Sequence, residues 1–287
     1  MLKRSTIQLL RFHFSYFLMP VFFFGLSFAN EINWQRAALA FVLIHFLLYP
    51  ASNGYNSFMD RDTESIGGVQ KPMQPERELF FVTVVMDVAG ILLSFFISWQ
   101  FAAAYCFYIL CSRMYSYRGI RLKRFAVLSY ITVVLNQGGL IFAMVYHAAD
   151  KNFSWHAPWQ GIVAACFLIG GFYPITQIYQ HNADAKDKVK TMSMMLGKRG
   201  TFIFCAIMYA IAFGILFTYF LHSGNLTPFY VLQIFFIPVI VYFVWWLLQV
   251  WKNESAADFH HTMRMNKLAS TCTNLAFITL IIMKNIG

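Results

Sequence analysis

Asn53, Asn56, Asp60 and Glu64 are oxygen-bearing side chains spaced three and four residues apart. Tyr173, Gln177, Gln180, Asp184 and Asp187 repeat that spacing 124 positions later, with Gln177, Gln180 and Asp184 standing where the first set has Asn53, Asn56 and Asp60. At about 100° per residue, each set falls within an arc of about 80° on one helix face. Carboxylate and amide oxygens in such a cluster suit Mg²⁺, a hard cation that keeps several waters and binds phosphate oxygens as well. The loops after the two sets bring Lys71 and Arg77, then Lys186, Lys188 and Lys190. A third basic run supplies Arg118, Arg121, Lys123 and Arg124. Carboxylates and amides beneath a ring of cations suit a polyphosphate carried by Mg²⁺, the cations taking the remaining phosphate charge.

The two stripes belong to a longer repeat. Residues 49–60 read YPASNGYNSFMD and residues 173–184 read YPITQIYQHNAD, with Tyr, Pro, Tyr and Asp identical at four positions. Pro50 and Pro174 precede the stripes by one to two turns and bend each helix. Polar groups at the end of an apolar segment are costly and mark function. A repeat of this kind in a membrane protein predicts two half-sites facing one ligand.

The elements that position these residues are membrane spans. The chain is 59% apolar and 12% charged, about half the charge of a soluble domain, with mean hydropathy +0.56. Nine segments are each roughly long enough for a bilayer core: 7–29, 35–57, 79–99, 100–117, 125–147, 158–180, 200–222, 228–250 and 266–284. The fold class predicted is all-α, a polytopic single bundle over residues 1–287. The stripes lie on the second and sixth segments, which run in the same direction. With the N-terminus cytoplasmic, the outside holds only Arg36, Lys151 and Lys284 of the 22 Lys and Arg residues, which fixes the orientation. The protein is thus expected in a plasma membrane, a bacterial inner membrane, with its site loops cytoplasmic. The net charge of +10 then reflects topology and contact with anionic membrane lipid; without a soluble basic domain, no nucleic-acid partner is expected. Arg11 and His13 interrupt the first apolar stretch, which argues against a cleaved signal. The five cysteines all fall in predicted helices without a CxxC, so neither disulfides nor zinc are indicated.

In these motifs the sequence resembles the UbiA superfamily of intramembrane prenyltransferases. Asn56 to Glu64 (NSFMDRDTE) is similar to the family's NDxxDxxxD motif, with Glu for the last Asp. Gln180 to Asp184 is similar to its DxxxD motif, with Gln180 in place of the first Asp and Leu196-Gly197 following. Tyr115 to Lys123 resembles the family's loop between helices four and five, and Arg11 resembles the Arg that many members carry near the cytoplasmic end of helix one. The resemblance implies Mg²⁺-dependent transfer of an isoprenyl group from a prenyl diphosphate to a lipophilic, usually aromatic, acceptor. It implies catalytic Asp60 and Asp184, with Asn56, Glu64, Gln180 and Asp187 as further metal ligands. Lys71, Arg118, Arg121, Lys123, Lys186 and Lys188 would bind diphosphate; Arg11, Asn53, Tyr115, Tyr173 and Gln177 would line the substrates. Gln180 supplies an oxygen but no charge, so a second metal is expected to bind more weakly.

The physics of the reaction agrees. Ionising an allylic C–O bond needs the leaving diphosphate held by metal and cations, and aromatic faces stabilise the cation left behind. A terpene cyclase of the same superfamily and a membrane transporter are the rival readings; transporter sites lie nearer the midplane. A non-catalytic homologue is a third, kept open by Gln180. Asp87 and His45 read as packed, hydrogen-bonded side chains. Gln137-Gly138-Gly139 reads as a close helix contact, with Gln137 able to touch a substrate.

Overall fold

A computed structural model describes residues 2–286, and every element in it is helical apart from two isolated β-bridges. The helices are α1 (Arg4–Phe28), α2 (Trp34–Asp60), α3 (Arg77–Ser94), α4 (Trp99–Ser116), α5 (Ala126–Ala149) and α6 (Trp159–Gln177). A short α7 (His181–Lys186) follows, then α8 (Met192–His222), α9 (Thr227–Lys252) and α10 (Phe259–Ile286). Each long helix packs on its neighbours in sequence, and α10 closes the ring against α1. α1 also crosses to the second half of α5, so the centre is filled by Phe24, Phe142 and Phe277.

Among the described residues, seven helices are long and apolar enough to cross a membrane. All nine expected segments form long helices, and α3 and α4 are the two that fall short of that measure. They carry Asp87 and Arg113, which form a mutual ion pair between the two helices. The guanidinium of Arg113 also lies 3.9 Å from the ring centre of Tyr55. Asp87 is thus a packed partner, as its sequence position suggests. His45 likewise is buried with Nδ1 2.8 Å from Ser15 Oγ.

Three of the spans depart from regular helix. α1 breaks at Arg11, whose φ is 50°. α2 passes through a π turn at Leu43–Leu48 and α5 through another at Val134–Leu140. The first follows from Pro50, which has no N–H to donate and whose ring would strike the carbonyl one turn back. π turns of this kind gather at functional sites.

Candidate active site

The helical register behind the two stripes ends sooner than the sequence predicts. α2 stops at Asp60, with Arg61 left-handed at φ 55°. α6 stops at Gln177, and Gln180 stands just before the separate α7 as its N-cap. Glu64 is therefore not on the face of Asp60, and Gln180, Asp184 and Asp187 do not share a helix with Tyr173. A chain past its helix end is free to turn, so loop geometry brings these residues together. Asp62, which a continuous helix would aim about 160° away from Glu64, turns inward instead.

One cavity of about 150 Å³ at the shared end of α2 and α6 is lined by Asn56, Asp60, Asp62, Glu64, Gln180 and Asp184, with Arg11, Lys123, Tyr115, Tyr173 and Gln177. The segment after α2 folds over it. Gly67 and Gly68 permit this, since a Cβ on Gly67 would lie 2.7 Å from the Phe14 ring and one on Gly68 2.5 Å from His13 Nε2. Gly68 also has φ 81°, which L side chains avoid. His13 Nε2 lies 2.9 Å from Gly68 O, and Arg11 donates to Gly67 O at 3.4 Å and to Asn53 O at 3.2 Å. The break in α1 thus anchors the lid of the cavity.

Charge in the cavity is uneven. Asp60 is buried and ion-paired with Lys123, while Arg121 Nη2 stands 3.9 Å from Asp60 Oδ1 and pairs with Asp187. Asp60 Oδ1 and Asp184 Oδ2 are buried without a hydrogen-bond partner. Burial, then the repulsion of Asp62, Asp60 and Asp187, raises Asp184 to about 7 despite the opposing charge of Lys123. Burial and Asp60 raise Asp62 to about 6, against Lys123 and Arg11.

Other expected residues are engaged differently. Arg118 is exposed and donates to the carbonyls of Met59 at 2.6 Å and Asp60 at 3.2 Å, capping the end of α2. Lys186 pairs with Glu64 at 2.5 Å across the mouth. The structure does not bring Lys71 or Lys188 to the cavity wall; both are exposed in loops that turn outward. Asp187 faces Arg121 behind the wall. Gln180 donates to Ser65 O at 3.2 Å, tying the two loops, and Tyr115 and Tyr173 share a hydrogen bond of 2.6 Å. Sequence reasoning left Thr176 and Ser65 unassigned although both line the cavity; neither carried a signal.

Among the described residues, no three His, Cys, Asp or Glu side chains converge closely enough to hold a metal as they stand. The donor set nevertheless fits Mg²⁺. Asp60, Asp62 and Asp184 line one cavity, two of them with an orphaned buried oxygen, and all-oxygen donors suit this ion.

The sequence profile of the UbiA prenyltransferase family matches residues 17–268. The chain belongs to that family and is an integral membrane protein. No curated protein matches it in sequence. Among solved structures it is similar to a UbiA homologue from Archaeoglobus fulgidus bound to GPP and Mg²⁺, at 18% identity and TM-score 0.70, over 96% of this chain and 99% of that one. It is similar to the apo UbiA homologue from Aeropyrum pernix K1, at 15% identity and TM-score 0.71, over the same shares. A structure of digeranylgeranylglyceryl phosphate synthase shares 15% identity, with TM-score 0.62 over 97% of both chains. At these identities the likeness is one of fold.

Proposed function

We propose that the protein transfers an isoprenyl group from a prenyl diphosphate to a lipophilic acceptor inside the membrane, with Mg²⁺ at Asp60, Asp62 and Asp184. One observation carries this reading: carboxylates from both arms of the repeat line a single cavity together with Lys123. Similar folds hold GPP with Mg²⁺ or DMAPP with Mg²⁺ in the Archaeoglobus homologue, which supports the same donor class here.

When bound, the metal would supply the charge neutralisation that lets the diphosphate leave. Lys123 and Arg121 stand beside Asp60 and would turn to the phosphate oxygens once metal takes the carboxylate. The allylic C–O bond breaks with its electron pair going to diphosphate. The acceptor's electron pair forms the new bond to the allylic carbon, and the acceptor loses a proton. Tyr115 and Tyr173, hydrogen-bonded to each other on the cavity wall, would stand near the developing cation, which aromatic rings stabilise. The basic loops at the site end would face the cytoplasm of a plasma membrane.

The test uses purified protein with labelled prenyl diphosphates of 10 to 40 carbons, a membrane lipid extract and Mg²⁺. The reading expects Mg²⁺-dependent diphosphate release and a product heavier than the prenyl chain by an acceptor. A product with the prenyl mass alone supports a cyclase. Ion-driven uptake into proteoliposomes without product formation supports a transporter.

A further inference from the structure

Two cations of the basic runs are left over once the site is built. Arg121, Lys123 and Lys186 pair with Asp187, Asp60 and Glu64. Arg124 and Lys190 belong to the same runs, yet neither lines the carboxylate cavity, and neither makes an ion pair among the described residues. They stand instead on a groove of about 590 Å³ on the outside of the bundle, between the first turns of α5 and the first turn of α8. Every other residue on its wall is apolar, among them Phe125, Leu128, Ile131 and Met195. These four are 44–52% exposed.

The local sequence explains the groove. Leu128 and Ile131 are one turn apart on α5 and face outward, while Ser129 and Val133 are buried in the bundle, as helical spacing requires. Gly197, at φ 69° and ψ 169°, interrupts α8. Met195 therefore sits on a short turn set apart from the span that follows. Arg124 precedes the first residue of the α5 span, Ala126, and Lys190 precedes Met192, the first of α8. Both cations thus lie at headgroup depth and the apolar wall lies at acyl-chain depth.

An apolar outer face is ordinary in a membrane span; the two cations at its end select the occupant. A lipid phosphate meets Arg124 and Lys190 while an acyl chain covers the wall. A zwitterionic headgroup brings its own positive charge up to the same two cations, and an anionic headgroup does not. A second copy of the chain docking through this face would bring four cations together about a two-fold axis.

We propose that this groove binds one anionic phospholipid of the surrounding membrane, its phosphate held by Arg124 and Lys190 and an acyl chain laid along Phe125, Leu128, Ile131 and Met195. The inference does not rest on the prenyl-transfer reading. Its consequence for the site runs through the backbone. Lys190 N donates to Arg124 O at 3.4 Å. Arg124 directly follows Lys123, and Lys190 lies three residues beyond Asp187. A phosphate held by both cations clamps together the segments that bring Lys123 to Asp60 and Asp187 to Arg121.

The test is native mass spectrometry of the full chain in neutral detergent, titrated with phosphatidylglycerol or with phosphatidylcholine of the same acyl chains. Phosphatidylglycerol should bind at least about tenfold more tightly, since each Lys or Arg adds to the attraction for an anionic lipid. Arg124→Gln combined with Lys190→Gln should erase that preference. Lys252→Gln combined with Lys267→Gln removes two exposed cations away from the groove and should keep it. Equal binding of the two lipids overturns the proposal. So does a preference that survives the first pair of substitutions, or one lost equally in the second, which would reduce it to diffuse surface charge. Displacement of the lipid by an equal concentration of inorganic phosphate also overturns it, because the apolar wall would then contribute nothing. Should the first pair not fold, phosphatidylglycerol with a photoreactive acyl chain decides on the unaltered protein. Labelling should fall within residues 125–131 and at Met195. Labelling only elsewhere removes the site, and crosslinks between two copies through this face make it a dimer contact instead.

Discussion

Asp60 and Asp184 hold equivalent positions in the repeat but differ in their ion pairing. Asp60 is ion-paired with Lys123, and Arg121 stands 3.9 Å away. Among the described residues Asp184 has no ion-pair partner, keeps a buried oxygen unpartnered, and is raised to about 7. The difference comes from the loop between α4 and α5, which lies outside the repeated segments. Arg118 on that loop caps α2, Lys123 enters beside Asp60, and Arg121 spends its ion pair on Asp187 behind the wall. The repeat gives each arm a carboxylate; the loop between α4 and α5 decides which of them is ion-paired without metal.

The largest effect that would break this comparison is loss of a carboxylate. Asp60→Ala should reduce Mg²⁺-dependent diphosphate release more than tenfold, since loss of metal-mediated charge stabilisation costs several kcal/mol. Asp184→Ala should come close behind. Retention of more than about a tenth of wild-type release by Asp60→Ala removes Asp60 from the metal site.

Lys123→Met tests the paired half directly. Without Lys123 the buried Asp60 carboxylate loses its neutralising partner, and breaking a buried pair costs about 3–5 kcal/mol. The metal-free melting temperature should fall, and Mg²⁺ should raise it by more than in wild type, because the ion no longer displaces an ammonium. Equal Mg²⁺-induced rises in the two proteins would show that Lys123 does not guard the carboxylate.

The unpaired half makes a smaller, pH-dependent prediction. A carboxyl raised from 3.8 to about 7 on folding favours the folded state while protonated. That contribution is whole below about pH 4 and is lost as pH rises through about 7. The metal-free melting temperature should therefore drop between about pH 4 and 7. Asp184→Asn should flatten the drop, leaving the part due to Asp62, which titrates about one unit lower. A slope unchanged by Asp184→Asn would mean another group carries it.

Much of this was legible in the sequence because it rests on periodic patterns. Apolar segments gave most of the long helices to within a few residues, though α8 begins at Met192 and α10 at Phe259, well before the expected 200 and 266, and the duplicated Tyr-Pro…Asp spelling gave two arms ending together. What failed was helical phase beyond a helix end. Arg61 turns left-handed, so Asp62 faces the cavity although a continuous helix would turn it away, and the stripe past Gln177 is not a stripe. No local residue type announces such a turn. Nor could hydropathy show that Asp87 and Arg113 neutralise each other between α3 and α4. Ion pairing across the site was equally hidden: Lys123 and Lys188 look alike as loop cations, and only one reaches the cavity.

Gln180→Asp should have the smallest effect and sharpens the comparison most. Gln180 lines the cavity and donates to Ser65 O, so it joins the loops of the two arms while adding no charge. A carboxylate there cannot donate to Ser65 O, and it adds a negative charge near Asp184, which has no ion-pair partner among the described residues. Without metal the melting temperature should fall, and Asp184 should be pushed further up by the new neighbour. With metal the same charge becomes useful, because divalent-ion affinity grows with the number of charged ligands. The Mg²⁺ concentration for half-maximal diphosphate release should drop. A lower melting temperature with an unchanged Mg²⁺ midpoint would make Gln180 a loop tie only and take it out of the metal site. An Mg²⁺ midpoint that falls together with metal-free stability would show that, at this position, a neutral amide stabilises the resting protein at some cost in metal affinity.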